Sequence, residues 1–158
     1  MIIRKATTDD ITRIVNLERE CTTAAHWTEQ QYEDLFSAAR PVNRLALVAE
    51  RAAELDPGSG KLWLAGFLVA RHLPPEWELE NVVVAPEARR IGLGKQLLQA
   101  LLAAARDTHS DAVFLEVRES NTAARALYEK LGFRQTGRRK SYYANPLEDA
   151  VLYKFADG

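Results

Sequence analysis

Cysteine is nearly absent: Cys21 is the single one in 158 residues. An internal disulfide is therefore excluded, and a reducing cytoplasm is the expected compartment. Histidine is scarce as well. His26, His72 and His109 are scattered, without the spacing of metal ligands, so no metal is expected. Neither charge dominates: 21 Lys and Arg face 22 Asp and Glu, for a net charge of −1. Nothing in that balance calls for nucleic acid or an anionic membrane surface. Long hydrophobic runs are missing too. The longest, LWLAGFLVA from Leu62 to Ala70, is too short to span a bilayer, and MIIRKATTDD at the start lacks the apolar core of a signal peptide. No repeat, low-complexity tract or Pro/Gly/Ser linker divides the chain, so residues 1–158 read as one domain. A chain of this length buries roughly 70% of its unfolded surface, enough for a sizeable core.

What is present alternates between two periods. Ile2 to Lys5 reads as a strand. Thr7-Thr8-Asp9-Asp10 offers caps for a helix with Ile11, Ile14 and Val15 on its apolar stripe. Thr28 and Gln31 have capping-box spacing for a second helix carrying Tyr32, Leu35 and Phe36. Arg44–Arg51 and Lys61–Arg71 are strands joined by a hairpin through Asp56-Pro57-Gly58-Ser59-Gly60. Trp77–Val84 is a strand, followed by a long helix to about Thr108. Ala112–Val117 is a largely apolar strand, of the kind covered on both faces. Ser120 or Asn121 caps a helix ending at Leu131, with Gly132 behind it. Phe133–Arg138 and Ala150–Phe155 complete the strands. The order β-α-α-β-β-β-α-β-α-β-β specifies an α/β domain with a mixed sheet, in which Trp77 to Val117 is a strand–helix–strand crossover.

The entrance to the long helix is unusual. Arg89-Arg90 is followed by Gly92 and Gly94, although the run from Lys95 onward is rich in strong helix formers. Glycine at such a place serves a positive φ or a close approach. A helix start also presents free N–H groups and partial positive charge, which suit an anion such as phosphate. A P-loop is excluded, because Arg89 stands where its first glycine belongs and Gln96 follows Gly94-Lys95. The dinucleotide fingerprint fails because Leu97 occupies the place of the third glycine. What remains is Arg89-x-x-Gly92-x-Gly94, read either as a phosphate seat or as a tight turn with solvated arginines.

Together with the downstream stretch FLEVRESNTAARALYEKLGF, Phe114 to Phe133, this pattern resembles the GNAT superfamily of acetyl-CoA-dependent N-acetyltransferases. The segments HWTEQQYEDLF, LEVRESN, ALYEKLGF and RRKSYYANPLEDAVLYK resemble more narrowly its RimI type, whose members acetylate the N-terminal alanine of a small-subunit ribosomal protein. The resemblance extends over nearly the whole chain. One departure is the hairpin AELDPGSGKLW, longer and more polar than the type requires. The resemblance implies a single domain with a central, mostly antiparallel mixed sheet flanked by helices, and acetyl-CoA as co-substrate. It places the coenzyme pyrophosphate on Arg89, Arg90, Gly92, Leu93, Gly94 and Lys95. The pantetheine arm falls along the backbone of Val82, Val83 and Val84, with a further contact at Asn121.

It also implies that Glu116 is the general base and Tyr128 the general acid. Read without the resemblance, Glu116 interrupts an apolar strand and could instead pair with Arg118 on the same face. Tyr128 could be a half-buried aromatic at helical spacing with Ala124 and Leu131. A phenol with an ordinary pKa of about 10 holds a proton to give at neutral pH. Asn121 has a sufficient role as a helix cap. The substrate side comprises Trp27, Glu80, Asn81, Tyr142 and Tyr143. The loop Ala24-Ala25-His26-Trp27 and the segment Ser141-Tyr142-Tyr143-Ala144 are candidate walls of a slot for an extended chain. Glu76, Glu78 and Glu80 share a strand face, read as solvated surface or as an acidic wall for a cationic substrate, with Glu80 a reserve base. The expected partner is a protein or peptide N-terminus, above all that of a ribosomal protein. A small-amine acetyltransferase and a non-catalytic acetyl-CoA-binding module are the competing functions; retention of Glu116 and Tyr128 argues against the module.

Overall fold

The computed structural model describes residues 1–21, 27–37, 43–52 and 58–156. The elements run β1 (Ile2–Lys5), α1 (Ile11–Glu20), α2 (Glu29–Asp34), β2 (Arg44–Ala52), β3 (Leu62–Leu73), β4 (Glu76–Val84), α3 (Leu93–Asp107), β5 (Ala112–Arg118), α4 (Thr122–Lys130), β6 (Arg134–Tyr143) and β7 (Glu148–Ala156). This is the order expected from the sequence. Among the described residues the strands form one seven-stranded sheet, β1-β2-β3-β4-β5-β7-β6. Every neighbouring pair is antiparallel except β4 and β5.

Each face carries helices, and side chains show which. Trp77 of β4 donates from Nε1 to Thr108 Oγ1 behind α3 (2.9 Å), and Tyr153 of β7 donates to Glu129 of α4 (2.7 Å). Trp77 lies beside Val113, and Leu115 beside Tyr153, so α3 and α4 cover the same side. On the opposite side the Tyr32 ring of α2 meets Phe67 of β3 edge-on at 5.9 Å. α3 buries Leu93, Leu97, Leu98, Leu101, Leu102 and Ala105, the stripe of a helix laid on a sheet. At the far corner Arg4 and Arg13 both bind Asp10 and Glu50, tying β1, α1 and β2 together with N···O distances of 2.6–3.1 Å.

Two irregularities shape the centre. The β3–β4 register steps from Val69↔Asn81 to Ala70↔Leu79, which leaves Glu80 as an extra residue in β4. Such a bulge redirects the side chains beyond it. Trp77 and Leu79 lie toward α3, whereas Asn81 points to α1 and α2. The second irregularity is that β4 and β5 pair only over Glu76–Glu78 and Ala112–Phe114. Beyond those residues the strands part, while β5 stays paired with β7 as far as Arg118. The facing edges of β4 from Leu79 and β5 from Leu115 line a V-shaped opening in the sheet.

Strand boundaries differ in one place that matters. β6 runs to Tyr143, past the expected end at Arg138. It is an exposed edge strand, so Arg139-Lys140-Ser141 need no apolar alternation to stay in it. Pairing with β7 resumes at Tyr143↔Glu148 after an irregularity around Ser141, whose φ is 51°. No helix among the described residues is long and apolar enough to cross a membrane. The tip at Asp56-Pro57 and the wall residues Ala24, Ala25 and His26 lie outside the described residues.

Candidate active site

The two glycines at the start of α3 have different causes. Gly92 is the N-cap with φ 80°, a left-handed conformation that costs a side chain about 1–2 kcal/mol. Gly94 is helical. A Cβ there would stand 3.1 Å from Leu127 Cδ2 of α4 and 3.7 Å from Val84 Cγ2. One glycine bends the chain and the other lets α4 approach. The first helical bond runs from Gln96 N–H to Gly92 O (3.0 Å), so the N–H groups of Leu93, Gly94 and Lys95 have no helical acceptor. The Leu93 side chain is core, 1% exposed, and only its N–H can face an anion. Arg89 turns back, with Nε donating to Val84 O (3.4 Å) and Nη2 reaching Cys21 Sγ (3.9 Å). Arg90 and Lys95 are exposed. Val82 and Val84 face the α3 side, half-buried, while Val83 is buried on the other, leaving it only backbone groups to offer. Asn121 caps α4 as expected, its Oδ1 accepting from Ala124 N–H (3.3 Å).

Glu116 lies on β5 where that strand has left β4. Its partner is Arg139, with Nε 3.0 Å from Oε1. The expected alternative pairing with Arg118 does not form. Arg118 binds Glu148 (3.2 Å) and lies 4.4 Å over the Tyr143 ring. Arg139 lies 5.7 Å from the Tyr142 ring centre, and the two tyrosines meet edge-on at 5.1 Å. The neighbouring Glu116 carboxylate raises the Tyr142 pKa. Burial first, then the charge of Glu116, pushes Tyr143 up to about 12.

Tyr128 is 5% exposed, with ring centres 5.7 Å from Phe133 and 6.0 Å from Tyr153. Burial, with a smaller contribution from Tyr143, raises its pKa, so the phenol keeps its proton. Its hydroxyl makes no hydrogen bond to a described residue. No side-chain polar atom among the described residues is both sealed and unpartnered. The Tyr128 oxygen therefore borders accessible space.

The row of glutamates is neither a bare nor an acidic face. Glu76 pairs with Lys154 (2.9 Å), Glu78 with Arg71 (2.6 Å) and Glu80 with Arg44 (2.9 Å). These pairs neutralise the row, which removes the ground for long-range attraction of a basic tail. Asn81 is 6% exposed and its side chain is engaged with α1 and α2. Trp27 packs on Tyr32 with ring centres 5.3 Å apart.

Three participants escape a reading by sequence. Arg139 carries no local signal, since only the sheet register brings it to Glu116. Glu18 and Tyr32 join Asn81 in a buried polar cluster. Glu18 has a signal: it follows Ile11, Ile14 and Val15 at helical spacing, a carboxylate on an apolar stripe. A cavity of about 540 Å³ along α1 and the start of β3 contains none of the site residues named above. Among the described residues no group of His, Cys, Asp and Glu is arranged to hold a metal.

Residues 11–133 match the model of the Acetyltransferase (GNAT) family. The ribosomal protein bS18-alanine N-acetyltransferase of Salmonella typhimurium is 40% identical over 91 residues, or 56% of this chain; the match spans 62% of that relative's length. An N-alpha-acetyltransferase of Sulfolobus acidocaldarius is 31% identical over 154 residues, covering 95% of this chain and 89% of the other. Among solved structures, the ribosomal-protein-S18-alanine N-acetyltransferase of Escherichia coli superposes with a TM-score of 0.77 at 28% identity, covering 98% of this chain and 92% of that one. The glycine-marked start of α3, the split between β4 and β5, Glu116 and Tyr128 thus lie on a chain that belongs to the GNAT family of acetyltransferases.

Proposed function

We propose that this protein is a cytoplasmic N-α-acetyltransferase that moves an acetyl group from acetyl-CoA to the N-terminal amine of a protein, with alanine first, as in a ribosomal protein. The observation that carries the reading is the parting of β4 and β5: Glu116 stands on β5 beyond the last pair, and α4, which bears Tyr128, packs by Leu127 against the start of α3 beside Val84 at the end of β4. The N–H groups of Leu93, Gly94 and Lys95 suit the pyrophosphate of the coenzyme, with the left-handed turn at Gly92 leading into them and Gly94 giving α4 room beside them. The edge of β4 from Leu79 to Val84 offers backbone groups to an extended arm and an N–H to the developing oxyanion. Bound acetyl-CoA supplies the acetyl thioester.

Glu116 takes a proton from the incoming ammonium, directly or through one water. An α-amine has a pKa of about 8, so deprotonation is needed at neutral pH. The amine nitrogen forms the bond to the carbonyl carbon as the carbon–sulfur bond breaks. Tyr128 gives its proton to the leaving thiolate, the second proton shed by the nitrogen as the amide forms returns through water to the Tyr128 phenolate, and Glu116 releases its proton to solvent. Trp27 on one side and Tyr142 and Tyr143 on the other form the walls of the slot. Mass spectrometry of peptide and small-amine libraries incubated with acetyl-CoA tests the reading. A peptide beginning with alanine is expected to gain one acetyl group on its α-amine, with lysine ε-amines unmodified. Acetylation of free small amines with no reaction at any peptide N-terminus would replace the reading by that of a small-amine enzyme.

A further inference from the structure

We propose that Glu18 is a positioning residue for the protein substrate, setting the place of the Trp27 wall against the bulge of β4. The inference rests on the reading above. Glu18 is on α1, outside the catalytic pair, and only 2% exposed. Its Oε1 accepts from the Trp27 main-chain N–H (2.8 Å) and from Asn81 Nδ2 (3.0 Å). The second hydrogen of Asn81 Nδ2 goes to the Tyr32 hydroxyl (2.9 Å). Asn81 thus links the other two side chains, with Tyr32 0% and Asn81 6% exposed.

A carboxylate among neutral donors in a core is expensive, and apolar residues of the same volume would be cheaper. What the carboxylate gives is direction. Its bonds, with that of Asn81 to Tyr32, can all form only when three separate segments stand in one arrangement. Those segments are the residue that opens onto α2, α2 itself, and Asn81 beside the extra residue Glu80. Asn81 and Glu80 lie on the part of β4 that faces the opening. Trp27 is a wall of the proposed slot, held at its main chain by Glu18 and at its ring by Tyr32. The cluster therefore fixes the distance between the wall that steers an extended chain and the strand edge where the thioester is placed. It acts on the part of a substrate that extends past its first residue, and not on proton transfer.

The test compares two substrates, an alanine-initiated peptide of about ten residues and alaninamide, in wild type and Glu18→Met. Methionine keeps much of the volume of Glu18 and removes the oxygen that accepts from both Trp27 and Asn81. Expected is a fall of about tenfold or more in kcat/KM for the peptide, carried by KM, from the loss of these buried hydrogen bonds. KM for acetyl-CoA and kcat/KM for alaninamide should stay within about threefold. Glu18→Gln, whose amide oxygen can take the place of Oε1, should recover most of the loss. Tyr32→Phe, which removes the acceptor of the second Asn81 bond, provides the same comparison if Glu18→Met does not fold. Equal losses for peptide and alaninamide, or a lowered Tm with the peptide KM unmoved, overturn the proposal alone. Wild-type enzyme that acetylates alaninamide and leaves the peptide untouched overturns the protein-substrate reading and this proposal with it.

Discussion

Removing one oxygen from each of two buried tyrosines should have opposite consequences. Tyr32 and Tyr128 are 0% and 5% exposed, and both hydroxyls have pKa values raised chiefly by burial. The Tyr32 hydroxyl accepts from Asn81, so Tyr32→Phe strips an acceptor from a buried amide. A buried group left short of a partner costs about 1–3 kcal/mol. In a domain of this size each kcal/mol moves Tm by roughly 2–4 °C, which places the expected loss between about 2 and 12 °C. Tyr128→Phe leaves no protein group unpartnered. Its Tm should stay within roughly 2 °C of wild type. Turnover should divide the other way. As the proposed proton donor to the thiolate, Tyr128 should be worth about 10²-fold or more in kcat, while acetyl-CoA affinity holds. Tyr32→Phe should keep kcat with alaninamide within about threefold, since a buried bond off the reaction path changes no proton transfer. Differential scanning calorimetry, isothermal titration with acetyl-CoA and steady-state assays on both variants give the comparison. A Tyr128→Phe enzyme turning over near the wild-type rate, or melting as early as Tyr32→Phe, would refute the assignment of Tyr128.

Glu116→Gln should lower kcat by about 10²–10⁴-fold at neutral pH with little change in Tm, because its partner Arg139 and its neighbour Tyr142 are largely exposed; turnover near wild type would remove it as base. Gly94→Val should weaken acetyl-CoA binding by at least about tenfold in calorimetry, since its Cβ meets Leu127 and Val84 and displaces the helix start; binding by the wild type should survive EDTA. The Asp10 carboxyl is held well below the usual range, foremost by its bond to Arg4. It therefore adds stability above its unfolded pKa of about 4, and that contribution fades as pH falls toward the lowered folded value. Asp10→Asn should cost about 2–4 kcal/mol at pH 7 and flatten the fall in Tm on acidification; an unchanged acid limb would show that the Arg4–Asp10–Arg13–Glu50 cluster does not set it.

Local chemistry was enough to order the elements. Helix stripes, caps at Thr28 and Asn121 and the apolar strand at Ala112–Val117 are short-range features that a single sequence displays. The two glycines at the start of α3 and the carboxylate inside β5 were legible for the same reason: each breaks the local rule around it. Partnership was not legible. Glu116 was equally compatible with Arg118, two residues along the strand, and with any cation the sheet might bring. The register of β6 on β7, continued past Arg138 on an edge that needs no apolar pattern, decided for Arg139. The three glutamates of β4 shared a face by alternation alone, but Arg44, Arg71 and Lys154 reach them from three other strands. The bulge at Glu80 turned the Asn81 side chain away from the opening and onto Glu18 and Tyr32. A sequence states what each residue can offer within a turn or a strand. Which offers are taken depends on contacts across tens of positions, and only the paired sheet, with its one parallel seam and its bulge, settles them.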